Sequence, residues 1–356
     1  MRNLQSMSTP QRRFIWLTFF VGGLLFLVLL FVMLSFNSLN SATRTQGTAL
    51  LPGVTVRQFA ALPDDDAYPP AVAFGADGTL FTGSFASGTV WAISSDGSQI
   101  IEVSGTRDGI GSVSAIATLP DGTLLVLDVN DTDPRTAGGQ VVRVQNGTII
   151  PYAAPADDRG FVSPNDMVVT PDGVLFVTDG GRNEVWRFET DTDGVVEGRV
   201  WWVAPTPTEA DQPRAFLTGI ATDPSHNALL ITDPETNTIY RVSLADGSTE
   251  VVYQHGSRSF PPGFDGLVTT PDGTIFVAAF GQNGIARVDG NELLYVAGLF
   301  RGASDVERDA EGSLYVPNFD QSALVIPMIQ PQLPFAIDVV ELGVLPTPAP
   351  APTATP

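Results

Sequence analysis

The sequence contains no cysteine, no lysine and two histidines in 356 residues. Without cysteine there are no disulfides, thiolate metal sites or thiol nucleophiles, so a folded core must hold by packing alone. Without lysine, Schiff-base chemistry and a phosphate-loop ammonium are excluded. Positive charge is scarce: 18 arginines face 39 acids, for a formal net charge of −21. Nucleic acid is excluded as a partner, because the counterion term that drives its binding would run backwards on such a surface.

One stretch lacks charge altogether. Phe14–Phe36 reads FIWLTFFVGGLLFLVLLFVMLSF, 23 residues that suffice to cross a hydrocarbon core of about 30 Å at about 1.5 Å per residue. The run exceeds the apolar region of a signal peptide and no clean small-residue cleavage site follows, which favours a retained anchor. Arg2, Arg12 and Arg13 precede it and only Arg44 follows nearby, so the positive-inside bias places the N-terminus in the cytoplasm. The expected organisation is a cytoplasmic segment over 1–13, a transmembrane helix over 14–36, a linker over 37–50, an extracytoplasmic domain over 51–335 and a Pro-rich tail over 336–356. Within that tail, 336–342 is apolar enough either to pack on the domain or to form an edge segment, and the sequence allows both.

What the domain does have is repetition. Six segments share an apolar strand, an Asp-Gly-like turn, a second apolar strand, a polar turn and a third strand, as in NDMVVTPDGVLFVTDGGRNEVWRF from Asn165 and DGLVTTPDGTIFVAAFGQNGIARV from Asp265. The turn residues Gly78, Gly122, Gly173, Asn227, Gly273 and Gly312 are spaced by 44, 51, 54, 46 and 39 residues. That period belongs to four-stranded propeller blades. A fourth strand follows in five repeats, while the sixth repeat, taken as Ser304–Met328, lacks one. Val54–Ala60, VTVRQFA, has the composition to supply it. The fold class is therefore all-β, a six-bladed β-propeller closed by an N-terminal strand and preceded by one transmembrane helix. The Asp-Gly pairs, Asp128, Asp179 and Asp233 at strand ends, and the turn residues Asn183, Asn237 and Asn283 read as turn chemistry. The repeated Arg143, Arg187, Arg241 and Arg287 read as pairing between blades.

The first strand of each blade lines the central channel, so the residues just before it converge on one mouth. Register places Pro70, Ser114, Asn165, Thr218, Asp265 and Ser304 there, with Asp166 and Asp305 beside them. Two readings are open: a hydrated channel whose polar groups satisfy one another, or oxygen ligands for a hard cation. Arg107, Arg159, Arg214, Arg258 and Arg301 occupy the loops leading into first strands. They form either an anion-attracting rim or pairs with nearby acids. His255 lies in one of these loops as a candidate general base.

The motifs SPNDMVVTPDGVLFVTD, TGIATDPSHNALLITD and FDGLVTTPDGTIFVA resemble the superfamily of senescence marker protein, gluconolactonases and luciferin-regenerating enzymes, with a shape related to paraoxonases and NHL-repeat proteins. The resemblance spans about 69–327. It implies a lactone or ester hydrolase using a divalent cation, often calcium, at the channel mouth. Asn165 matches the Asn of the Pro-Asn-Asp motif, and Asp265 matches the metal-binding Asp. Thr218 stands where the family has Asn, and the family's Glu at the first blade has no counterpart in DAYPPA, residues 66–71. The expected function is thus a noncatalytic module binding a small anionic molecule, a carbohydrate or an envelope protein through Ser114, Ser304 and the arginine rim. The alternative is a weakly metal-dependent hydrolase, with Asn165, Asp265 and Thr218 on the cation and Asp166 or His255 activating water.

Overall fold

The computed structural model describes residues 9–40, 44–133, 136–156, 160–190, 196–206, 213–326 and 329–346. Two compact units divide the chain, Met1–Thr43 with Ser322–Gln332, and Arg44–Gln321 with Leu333–Pro356. In the first, Thr9–Asn40 is a single α-helix. Its window Trp16–Met33 has mean hydropathy 2.6 and none of it is buried, which makes it one helix long and apolar enough to cross a membrane.

The second unit is a six-bladed β-propeller. Five sheets carry their strands in chain order from the inside outward, starting from Val72–Phe74, Val113–Thr118, Pro164–Val169, Ile220–Asp223 and Phe264–Thr269. The sixth starts from Glu307–Arg308. Each innermost strand touches those of the two neighbouring blades, in a cycle that returns from blade six to blade one.

The second strand of a blade is packed on both faces by its neighbours, which is why it reads as a continuous apolar run rather than an alternating one. In blade four every residue of Ala228–Asp233 is buried, whereas the outermost strand Thr249–Gln254 is mostly exposed. The Asp-Gly turns behave as their chemistry requires. Gly78 and Gly122 have φ of 81° and 84°, and the preceding Asp77 and Asp121 accept backbone N–H bonds from Thr79 and Thr123 at 3.0 and 2.8 Å. Asn183, Asn237 and Asn283 all take positive φ.

Several sequence expectations need correcting. The third strand of blade six is Ala336–Glu341, not the end of Ser304–Met328, and the outer strand Thr55–Ala61 pairs with it. Gln321–Val325 is instead a short helix with no buried residue. The reason is burial: Ala336, Ile337, Val339 and Val340 are fully buried, while Val325 and Ile326 are exposed. The domain therefore extends past residue 335. It also begins before 51, since Thr48–Ala49 pairs with Gly298 and Ala297 as a fifth strand of blade five. Of the third-strand arginines, Arg287 does reach the next blade, donating to the Pro346 carbonyl oxygen beyond the third strand of blade six at 2.7 Å, while the ion pairs stay within blades. Arg187 pairs with Glu189, Arg241 with Asp223 and Glu250, and Arg287 with Asp289, each on its own blade.

The innermost strands approach closely at Gly219. A Cβ there would run into the backbone oxygen of Asp265. Gly219→Ala is expected to destabilise the protein by about 1–3 kcal/mol through overpacking. Denaturant unfolding within experimental error of the parent would show that the strands part freely there.

Candidate functional site at the channel mouth

The register reading of the inner ring holds. Pro70, Ser114, Asn165, Thr218, Asp265 and Ser304 all line one cavity of about 490 Å³. Three of their side chains are committed to the wall. The Ser114 hydroxyl donates to the carbonyl oxygen of Asn165 and the Ser304 hydroxyl to that of Pro70, each at 2.6 Å. Thr218 Oγ1 lies 3.2 Å from the Phe264 oxygen and 3.0 Å from Thr232 Oγ1. Each hydroxyl thus stitches its inner strand to the next blade. The side chains of Asn165 and Asp265 have no hydrogen-bond partner among the described residues.

Asp166 and Asp305 occupy equivalent places in blades three and six and do the same stitching with carboxylates. Asp166 Oδ2 accepts the N–H of Ile220 at 2.8 Å, and Asp305 Oδ2 that of Val72 at 2.9 Å. They line both this cavity and a second one at the other end of the channel, where Glu307 and Arg308 sit. The channel is narrow enough to desolvate these groups although solvent touches them. Burial, with repulsion from Asp166 and Asp305, pushes the Asp265 carboxyl well above its ordinary range. Burial and the nearby Asp305 do the same to Asp166, against the pull of its backbone N–H bonds. Asp305 is pushed up to about 6 by burial, and Glu307 to about 7 by burial.

The arginines and His255 do not join this set. Among its described lining residues the mouth has no Arg and no His. Arg107 pairs with Glu102 and Asp64 at 2.9 and 2.5 Å. Arg301 pairs with Asp320 at 2.6 Å. Arg258 packs over the Tyr253 ring, 5.5 Å from its centroid, and donates to the Tyr253 hydroxyl at 2.9 Å. Arg214 is exposed, and Arg159 lies outside the described residues. His255 has its ring nitrogens 3.2 Å from the Tyr253 hydroxyl and from the Ser259 carbonyl oxygen, on a loop away from the cavity lining.

Sequence reasoning missed an upper ring. One or two residues past the end of each second strand stands Phe85, Val129, Gly180, Pro234, Phe280 or Phe319, and all but Gly180 line the mouth. In blades two to four the preceding residue is Asp128, Asp179 or Asp233, whose carboxylate clamps the loop entering the inner strand. Asp179, for example, accepts from Val162 and Ser163 at 2.8 and 2.9 Å. In blades five, six and one that aspartate is replaced and an aromatic ring follows, so contiguous blades build an aromatic side. Aligning the ends of the second strands would have revealed it.

The family resemblance implies a calcium ion here. Asn165 and Asp265 offer two unpartnered oxygen-bearing side chains, and no group of three or more His, Asp or Glu among the described residues could hold a metal ion. Calcium takes about six to eight oxygens, so these residues do not fit a tightly held ion.

Residues 104–296, blades two to five, match the family model described as the SMP-30/Gluconolactonase/LRE-like region. A gluconolactonase from Xanthomonas campestris superposes with TM-score 0.58 at 15% identity, over 84% of this chain and 98% of that one. A putative gluconolactonase gives 0.55 at 18%, over 83% and 97%. Virginiamycin B lyase from Staphylococcus aureus gives 0.51 at 17%, over 74% and 81%. At such identities the likeness shows a common fold. No curated protein matches the chain. With its matched region covering more than half its length, the chain belongs to the SMP-30/gluconolactonase/LRE-like family.

Proposed function

We propose that this protein is a membrane-tethered, extracytoplasmic propeller whose channel mouth binds a small ligand without transforming it. The observation that carries the reading is the composition of the mouth: on its inner ring only Asn165 and Asp265 present unpartnered polar side chains, and there is no imidazole among the described lining residues. General base catalysis near neutral pH needs a group within hydrogen-bond reach of the proton it removes. His255 is engaged elsewhere, and Asp166 spends both oxygens on backbone N–H groups of Met167 and Ile220. The uncovered apolar helix with arginines on its N-terminal side supports the tether and the orientation. Pairing of Thr55–Ala61 with Ala336–Glu341 supports reading blade six as the closure of the ring.

A second reading, a cation-dependent lactone or ester hydrolase, is favoured by one observation: Asn165 and Asp265, the two positions that match the family's metal ligands, share one cavity with their side chains unpartnered. Calcium titration of the full-length protein in maltoside micelles separates the two. A micromolar site would add about 4 kcal/mol at millimolar calcium by mass action. We expect no resolved rise in Tm and no turnover of aryl esters or gluconolactone. A rise accompanied by turnover, both lost in Asp265→Ala, would replace the first reading by the second.

A further inference from the structure

Resting on the binding reading above, we infer that the ligand of the mouth is an organic cation, an ammonium group carried on an apolar or aromatic body. Phenyl rings are frequent in the lining of the cavity, Phe216 and Phe264 among them. Phe280, Phe319 and Phe85, from the adjoining blades five, six and one, form a wall in which Phe85 and Phe319 meet edge to face, their centroids 5.3 Å apart. Blade five, which supplies Phe280, also supplies Asp265 at the inner ring, and its side chain has no partner. Every charged residue among the described lining residues is an acid.

A carboxyl that shares a cavity with several phenyl rings is complementary to an alkylammonium ion. The rings attract the positive charge through their quadrupoles and cover the apolar groups around it, and the carboxylate balances it. An inorganic cation would gain little here, because phenyl faces cannot replace the oxygen shell it surrenders. An anion would meet Asp265 backed by Asp166 and Asp305, with the described rim arginines Arg107, Arg258 and Arg301 already engaged elsewhere.

The test is calorimetric titration of the full-length protein in maltoside micelles with benzyltrimethylammonium, benzyl alcohol and phenylacetate, probes of similar size that differ in charge. The cation is expected to bind and the other two to give no heat of binding. Asp265→Asn is expected to weaken the cation about tenfold, and Phe280→Ala by several-fold. Unchanged melting of both variants shows that the fold survives, and Phe280→Ala carries the test alone if Asp265→Asn does not fold. Binding of benzyl alcohol or phenylacetate in place of the cation would overturn the ligand class and leave the binding reading standing. Silence of all three would overturn both. Calcium that displaces the probe in the parent but not in Asn165→Ala would assign the charge site to a metal and overturn the inference.

Discussion

Replacing Arg44 by alanine is expected to destabilise the propeller by about 3–5 kcal/mol, the cost of stranding a buried charge. Arg44 donates to Asp338 Oδ2 at 2.5 Å, and both side chains are almost wholly buried, at 5% and 0% exposure. The same carboxylate oxygen accepts from Asn318 Nδ2 at 3.1 Å. Asp338 lies in the third strand of blade six, so the pair fastens the first described residue after the helix to the strand that completes the last blade. Burial makes the pair costly to break and gives little net stability over an apolar substitute. The combined variant Arg44→Met, Asp338→Leu should accordingly recover most of the loss. Urea unfolding of the full-length protein in micelles measures both. A single variant within about 1 kcal/mol of the parent would mean that water or another cation reaches Asp338.

The second large effect is on the pH dependence of stability. Burial raises the Glu307 carboxyl from 4.5 to about 7, so between those values the folded state holds a proton that the unfolded chain has released. The stability from this group is fully present below 4.5 and is lost as pH rises through about 7. Asp305, raised from 3.8 to about 6, acts in the same direction over a lower window. The loss for Glu307 alone is on the order of 2–3 kcal/mol between about pH 5 and about pH 8. Turn carboxylates oppose this but in a separate range. Asp96, held down to about 2 by hydrogen bonds from Ser94 and Ser98, contributes stability above 3.8 that disappears only as pH falls through about 2. Unfolding free energies should therefore decline across neutral pH, and Glu307→Gln should make the decline measurably shallower, leaving the share of the raised Asp166, Asp265 and Asp305. A flat profile in the parent, or an equal slope in the variant, would contradict the buried state of Glu307.

The parts of this molecule that were legible in its sequence are those in which one rule repeats. The Asp-Gly turn recurs because every blade needs the same positive-φ position, and counting back from it located the inner ring to the residue. Blade six broke the rule. A detour separates its second and third strands, and the apolar Ala323–Ile326 resembles a strand in composition although none of it is buried. The arginine rim was legible as positions but not as a state. With 39 acids available, whether Arg107 is free or meets Glu102 and Asp64 depends on side-chain geometry that spacing does not encode. Glu307 escaped notice because its strand is only two residues long. The aromatic side of the mouth escaped because its signal, a Phe where other blades place a residue after a clamping Asp, appears only when the ends of second strands are aligned.

Blade six also imposes an order on biosynthesis. Thr55 and Glu341, 286 positions apart, are hydrogen-bonded partners in one sheet. Loop closure over such a distance comes late and slows folding. Until Ala336–Glu341 has emerged and found its place, Thr55–Ala61 and Leu314–Pro317 are edges without a neighbour, the condition under which strands recruit other chains. A nascent chain stalled before Ala336 is therefore an aggregation hazard however complete its other blades are. A protease that removes this strand from the finished protein would recreate that hazard by unzipping the antiparallel sheet from its centre.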